Sequence, residues 1–291
     1  MKKIFGRKYN FLKNSNLVKN LLKKTSIGST DLVIEIGPGK GIITQELAAI
    51  CRKVIAIEKD NGLFLYLKQK FRGRENVYIV LGDFLAYQLH NQNYKVFSNI
   101  PYNITAKVIK KITQYQNSPN NAYLIVQKEA AKKFVGIPYT SATQMYALLL
   151  KPWFNTEIIH LFKRTDFEPI PQVDSVLMHL KKRIPPFVED KNSILYRDFI
   201  VYAFNQWKPN LKLSLNKIFT HEQFKRLSDN LGFNIKAKPS DLSFEQWLGL
   251  FNYFLIGVED SKKKIIIGSE YLLKRQQSQI HKINRTSTRL R

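Results

Sequence analysis

Asp31-Leu32-Val33-Ile34-Glu35-Ile36-Gly37-Pro38-Gly39-Lys40-Gly41 is the stretch that decides the fold, because an apolar run breaks there into a glycine-rich turn. Beyond the turn, Ile42, Ile43, Leu47 and Ala48 carry helical spacing, and Val54-Ile55-Ala56-Ile57 is a second apolar run that ends at Glu58. Short β-branched runs bounded by turn residues read as buried strands, and a 3.6-residue apolar period between them reads as a helix. The same alternation continues outward: a helix over residues 62–70, a strand over 77–81 leading to Asp83, and a strand over 95–98 leading to Asn99-Ile100-Pro101-Tyr102. A helix over 106–112 and a strand over 122–126 follow. Alternation of this kind predicts an α/β fold with a doubly wound, Rossmann-like, mainly parallel sheet, whose ligands sit at the carboxyl ends of the strands.

Further along, a helix after Thr140 (Met145, Tyr146, Leu148, Leu149, Leu150) leads to strand-like runs over 156–162 and 174–181, separated by Asp166-Phe167-Glu168-Pro169-Ile170-Pro171. Pro185-Pro186 reads as a linker. Helical spacing over 187–258 predicts a small C-terminal all-helical domain for RNA binding, and the polar, basic composition of 259–291 predicts a loosely ordered tail. The catalytic domain then spans 1–184, opening with a polar, basic lead-in over 1–13 and a helix carrying Leu17, Val18, Leu21 and Leu22.

The strand ends carry the chemistry. Glycines at 37, 39 and 41 let the backbone turn sharply and approach a ligand closely. Their Gly-x-Gly-x-Gly spacing differs from the dinucleotide pattern, and Glu35 beside them would repel a pyrophosphate but suits the cationic amino-acid end of S-adenosylmethionine. Glu58 can accept both ribose hydroxyls, or is simply a surface acid. Asp83 can accept the exocyclic amine of the cofactor adenine, with Phe84 framing the ring, or is a helix N-cap. Asn99 and the Pro101 carbonyl can accept both N–H bonds of an amino nitrogen on a nucleobase, freeing and aiming its lone pair, while Tyr102 stacks on the base. Such stacking is worth roughly 1–3 kcal/mol per base. Phe167, on its proline-braced loop, is either the opposite stacking face or a core aromatic.

Composition narrows the partner. Lys and Arg number 47 against 22 acidic residues, a formal net charge of +25 on 291 residues, which calls for a polyanion. With no apolar stretch long enough to span a bilayer and no dominant amphipathic basic helix, nucleic acid is favoured over a membrane, and a cytoplasmic monomer is expected. The single Cys51 forbids an internal disulfide, and the five histidines (His90, His160, His179, His221, His281) lack ligand spacing, so no metal is expected.

These residues resemble a known family, the ribosomal RNA adenine N6-methyltransferases, which include the Erm resistance enzymes and the KsgA-type dimethyltransferases. The likeness runs from Asn10-Phe11-Leu12 through the glycine turn, Glu58, Asp83 and Asn99-Ile100-Pro101-Tyr102 to Phe167-Glu168-Pro169-Ile170-Pro171-Gln172-Val173-Asp174-Ser175. Lys151-Pro152-Trp153-Phe154, Lys238-Pro239-Ser240 and Phe244-Glu245-Gln246-Trp247 are similar to Erm segments, whereas Tyr9 stands where the family usually has Gln. The resemblance implies that Asn10 and Leu12 close over S-adenosylmethionine, that Gly37, Glu58, Asp83 and Asn99 contact it, and that Tyr102 and Phe167 sandwich the target adenine. It also implies the substrate, one adenine in the peptidyl-transferase region of 23S rRNA, presented as protein-free or early-assembly RNA, whose methylation blocks macrolide, lincosamide and streptogramin B binding. A KsgA-like 16S rRNA dimethyltransferase, a DNA adenine methyltransferase and a non-catalytic RNA-binding factor are the alternatives; the glycine spacing argues against a nicotinamide-dependent dehydrogenase.

Overall fold

The computed structural model describes residues 10–89, 93–114, 117–136 and 145–279, and the chain divides into two compact units. The first comprises residues 1–135 and 153–185. It opens with a two-residue strand, β1 (Phe11–Leu12), and a helix, α1 (Ser15–Leu22), capped by Asn14, whose side chain accepts from the Asn16 and Leu17 amides. There follow β2 (Leu32–Ile36), α2 (Ile42–Ala48), β3 (Lys53–Glu58), α3 (Asn61–Lys70), β4 (Val77–Leu81), β5 (Lys95–Asn99), α4 (Thr105–Gln114), β6 (Asn121–Gln127) and α5 (Lys128–Val135). Within the first unit the chain resumes at β7 (Phe154–Leu161), β8 (Phe167–Glu168) and β9 (Ser175–Lys182).

Seven strands form one sheet in the order β4-β3-β2-β5-β6-β9-β7. The pairs β2–β3, β3–β4, β2–β5 and β5–β6 are parallel, while β9 runs antiparallel to both β6 and β7. From β2 the chain steps outward through β3 and β4, then crosses back to lay β5 against the other side of β2. The carboxyl ends of β2 and β5 therefore flank the topological switch point, where an open α/β sheet offers its crevice. Both sheet faces are covered, as the continuous apolar strands require. Val18, Leu21 and Leu22 of α1 pack with Leu47 and Ala48 of α2 on Val33, Val54, Phe97, Tyr123 and Leu177. Leu67 and Phe71 pack on Ala56 and Ile79 of the same face, and on the opposite face Ile34 and Ile36 of β2 are buried as well.

The second unit comprises residues 136–152 and 186–291. Residues 136–152, read from the sequence as part of the catalytic domain, cluster here because their carbonyls are bonded to the long helix of this unit. The Tyr196 hydroxyl donates to the Leu148 carbonyl at 3.1 Å, and Arg197 donates to the Leu149 carbonyl at 3.2 Å. The unit holds α6 (Met145–Leu148), α7 (Ser193–Phe204), α8 (Leu211–Ser214), α9 (His221–Leu231), α10 (Phe244–Gly257), α11 (Asp260–Lys263) and α12 (Ser269–Gln279). Its core is aromatic: Phe199 of α7 meets Trp247, Phe251 and Phe254 of α10 at centroid distances of 6.1, 5.7 and 5.0 Å. The segment read as a loosely ordered tail is helical as far as Gln279. Ile266 is buried, the Asp198 carboxylate accepts from the Gly268 and Glu270 amides, and Arg197 pairs with Glu270 at 2.7 Å. Composition pointed to a tail because few apolar residues are needed when a buried carboxylate and an ion pair hold a helix start in place. Residues 280–291, Tyr9, His90 and His281 lie outside the described residues.

One carboxyl is buried beneath the sheet's functional end. Glu35 of β2 is almost fully enclosed and accepts a 2.6 Å hydrogen bond from Thr44 of α2. Burial raises its pKa from 4.5 to about 8, against the bond from Thr44, with Glu58 adding to the rise. Because the folded state favours the protonated form, its contribution is whole below about pH 4.5 and is lost as pH climbs through about 8. Glu35→Gln keeps an acceptor for Thr44 and removes the titration. Thermal melts across pH should show this variant gaining on the parent between pH 4.5 and 8, reaching a few kcal/mol above that range, with no difference at lower pH.

Candidate active site

The switch point is an open cleft lined by Asn10, Phe11, Gly37, Asn99, Ile100, Pro101 and Tyr102. Its floor is the glycine turn. Gly37 has φ +65°, its amide donates to the Ile57 carbonyl at 2.9 Å, and a Cβ built on it would meet nothing within 4 Å. Backbone is thus bare to a ligand at this point. Gly39, φ +58°, is required by contact as well as conformation: a Cβ there would lie 2.5 Å from the Phe11 ring. Its amide donates to Glu58 Oε2 at 3.2 Å, while Glu58 Oε1 accepts from the Asp60 amide at 2.9 Å. Burial raises the Glu58 pKa, and the amide hydrogen bonds from Asp60 and Gly39 oppose that rise. Two carboxylate oxygens, each with a further lone pair, remain able to accept from paired hydroxyls.

Asp83 follows β4, and its side chain closes a turn in place of capping a helix. Its Oδ1 accepts from the Leu85 amide at 2.8 Å, and its Oδ2 pairs with Lys59 at 2.8 Å, which holds the acid below its ordinary range. Lys59 is the neighbour of Glu58, so the ion pair ties the two acidic strand ends together. Phe84 is buried, with Lys111 Nζ 5.3 Å from its ring centroid.

Asn99 ends β5, and its Nδ2 donates to the Asn10 carbonyl at 2.7 Å. That bond fixes the amide so that Oδ1 is the atom left to accept. The Pro101 carbonyl, read from the sequence as a second acceptor, already receives the Ile104 amide at 3.0 Å at the start of a 3₁₀ turn. Ile100 also lines the cleft, and its carbonyl accepts no hydrogen bond among the described residues, so the adjoining peptide offers the freer acceptor. Tyr102 is half-buried, its hydroxyl 2.8 Å from Ser175 Oγ at the start of β9, where Ser175 is buried.

Asn10 is held here because β1 pairs antiparallel with β8, Phe11 opposite Glu168 and Leu12 opposite Phe167. This small ribbon sorts the remaining candidates. Alternation along β1 turns Phe11 to the cleft and Leu12 to the core. Phe167 is likewise in the core, its ring 5.3 Å from Phe162, and does not line the cleft. Of its two readings, the structure shows the core aromatic. Phe11, which lines the cleft, and the buried Ser175, which contacts the Tyr102 hydroxyl, were given no individual role in the sequence. The signal for Phe11 was the glycine at 39, which leaves room for a ring. Among the described residues, no three His, Cys, Asp or Glu side chains gather as a metal site, and no helix is long and apolar enough to cross a membrane.

The family model for ribosomal RNA adenine dimethylase matches residues 2–255. The chain belongs to that family. A curated rRNA adenine N-6-methyltransferase from Limosilactobacillus reuteri is 32% identical over 247 residues, 84% of this chain and 94% of the relative. A ribosomal RNA small subunit methyltransferase A from Caldanaerobacter subterraneus is 30% identical over 266 residues, 88% of this chain and 98% of the relative. Among solved structures, 23S rRNA methyltransferase ErmE superposes with a TM-score of 0.77 at 27% identity, covering 84% of this chain and 99% of that one. The chain is accordingly an rRNA adenine methyltransferase that uses S-adenosylmethionine. The bare backbone at Gly37 and the acid at the end of β3 fit that cofactor, since a glycine turn admits close approach and a carboxylate accepts hydroxyl pairs.

The Tyr102–Ser175 contact generates a test. Removing the Ser175 hydroxyl frees the Tyr102 ring to rotate within the cleft, so Ser175→Ala should raise the KM for RNA and lower turnover together, by roughly three- to tenfold. Ser175→Thr retains the hydroxyl and should restore most of the loss, with melting temperature little changed in either variant; steady-state kinetics with both substrates varied reads the outcome.

Proposed function

We propose that the chain methylates N6 of one adenine in 23S rRNA in the cytoplasm, acting as a monomer, and thereby confers resistance to macrolides, lincosamides and streptogramin B. The likeness to 23S rRNA methyltransferase ErmE over 99% of that chain carries the reading of the target. The Erm-like Asn99-Ile100-Pro101-Tyr102 at the switch point and the net charge of +25 support it.

In this reading Asn99 Oδ1 and the carbonyls of the Ile100–Pro101 segment accept the two N–H bonds of the adenine amine, which frees its lone pair and points it into the cleft. Tyr102 stacks on the flipped base, held edge-on by Ser175. Gly37 and Gly39, Glu58 and Asp83 hold the cofactor along the ends of β2, β3 and β4, with Phe84 behind the adenine and Asn10 closing over the ligand from β1. When bound, S-adenosylmethionine supplies a methyl group activated by its sulfonium charge. The chain's part in the rate is alignment and exclusion of water, and the Asn10–Asn99 bond sets both by fixing one acceptor and one wall of the cleft at once.

A second reading has an observation of its own: the small subunit methyltransferase relative is matched over 98% of its length. Mass analysis of rRNA from a macrolide-sensitive bacterium expressing the protein separates the two. We expect a methylated adenine in 23S rRNA together with a raised macrolide tolerance, both lost with Asn99→Ala. A modified adenine confined to 16S rRNA, with unchanged tolerance, would assign the protein to the small subunit.

A further inference from the structure

In the second unit, the turn that follows α7 exposes an aromatic ring that the catalytic reading does not use. Trp207 is 93% exposed, more than any other large hydrophobic residue described. It is also the one non-glycine residue among those described with positive φ, at +51°. A bulky residue in the left-handed region is strained, and a fully hydrated indole gives nothing back to folding. A solvent-facing turn of this kind would ordinarily hold Gly or Asn.

The surroundings state what the ring faces. From Phe199 to His221 the sequence contains no Asp or Glu and carries Lys208, Lys212 and Lys217. Lys208 and Lys217 are exposed. The turn is braced from below: Gln206 donates to the Tyr202 carbonyl at 3.2 Å, Asn210 caps Leu213 at 2.9 Å, and Phe204 stacks on Trp247 at 5.5 Å. A solvent-facing π-face on a braced turn, within an acid-free, lysine-bearing segment, matches an unpaired nucleobase and its flanking phosphates.

We propose that Trp207 is an RNA-contact residue, on which an unpaired base of the rRNA substrate stacks while Lys208, Lys212 and Lys217 face the backbone. The proposal rests on rRNA being the substrate, and the strain at Trp207 is the cost of presenting the ring.

The test measures RNA affinity of the full chain for 23S and 16S rRNA transcripts at fixed salt, beside melting temperature and S-adenosylhomocysteine affinity. Trp207→Ala should weaken binding of the methylated transcript by roughly tenfold, and Trp207→Phe should retain most of the affinity. Trp207→Gly should weaken it as Ala does while raising the melting temperature, because glycine relieves the φ penalty. The salt slope and the S-adenosylhomocysteine affinity should be unchanged in all three. Wild-type affinity in Trp207→Ala would overturn the proposal, as would a loss in Phe equal to that in Ala. Wild-type RNA affinity with lost methylation in cells would move the surface to a protein partner and overturn it too. Failure of the parent protein to bind either transcript would instead remove the rRNA reading on which it stands.

Discussion

One carboxylate organises the functional end of this sheet. Parallel strands end with backbone groups that the sheet no longer pairs, and buried amides must find acceptors. Glu58 meets the requirement at β3 by accepting from Gly39 of the neighbouring turn and from Asp60 of its own. The turn after β2 is therefore anchored to the end of β3, and a glycine at 39 leaves room for the Phe11 ring against it. Phe11 belongs to the same strand that pairs with β8 and gives its neighbour's carbonyl to Asn99. Removing the carboxylate would loosen the turn, β1 and the Asn99 amide in succession.

The charge pattern separates two tasks. A chain of net charge +25 nonetheless buries Glu35 and Glu58 at its site, both with raised pKa values, and ties Asp83 to Lys59. These acids stand out against an overall positive balance of the kind that favours a polyanionic partner. Keeping Glu35 neutral near pH 7 lets two acids share a small volume without full repulsion.

Much of the sheet was legible because its strands are buried on both faces, so each reads as a short apolar run closed by a turn residue. The strands at 32–36, 53–58, 77–81, 95–99 and 121–127 lie where the runs placed them, with shifts of a residue or so at their ends. The ribbon of β1 and β8 was not legible. Two residues per strand leave no period, and their pairing joins segments from opposite ends of the unit. That omission accounts for Phe167: its place in the core follows from the register with Leu12, which composition cannot show. α5 escaped because Lys128 to Val135 follows β6 without a turn signal. The helix at 269–279 escaped because Asp198 and Arg197, seventy residues earlier, supply its start. At the cleft, residue types identified Asn99 and Tyr102 as candidates, but only the hydrogen bonds revealed that Pro101 already has a donor and that Ser175 holds the tyrosine.

The most direct measurement is a calorimetric titration of S-adenosylhomocysteine into the parent protein and into Glu58→Ala. The account predicts one saturable site per chain in the parent and an affinity at least roughly tenfold weaker in the variant, since the turn and the hydroxyl acceptor are lost together. Equal affinity in the two proteins, with the variant folded, would contradict the placement of the cofactor at the ends of β2 and β3.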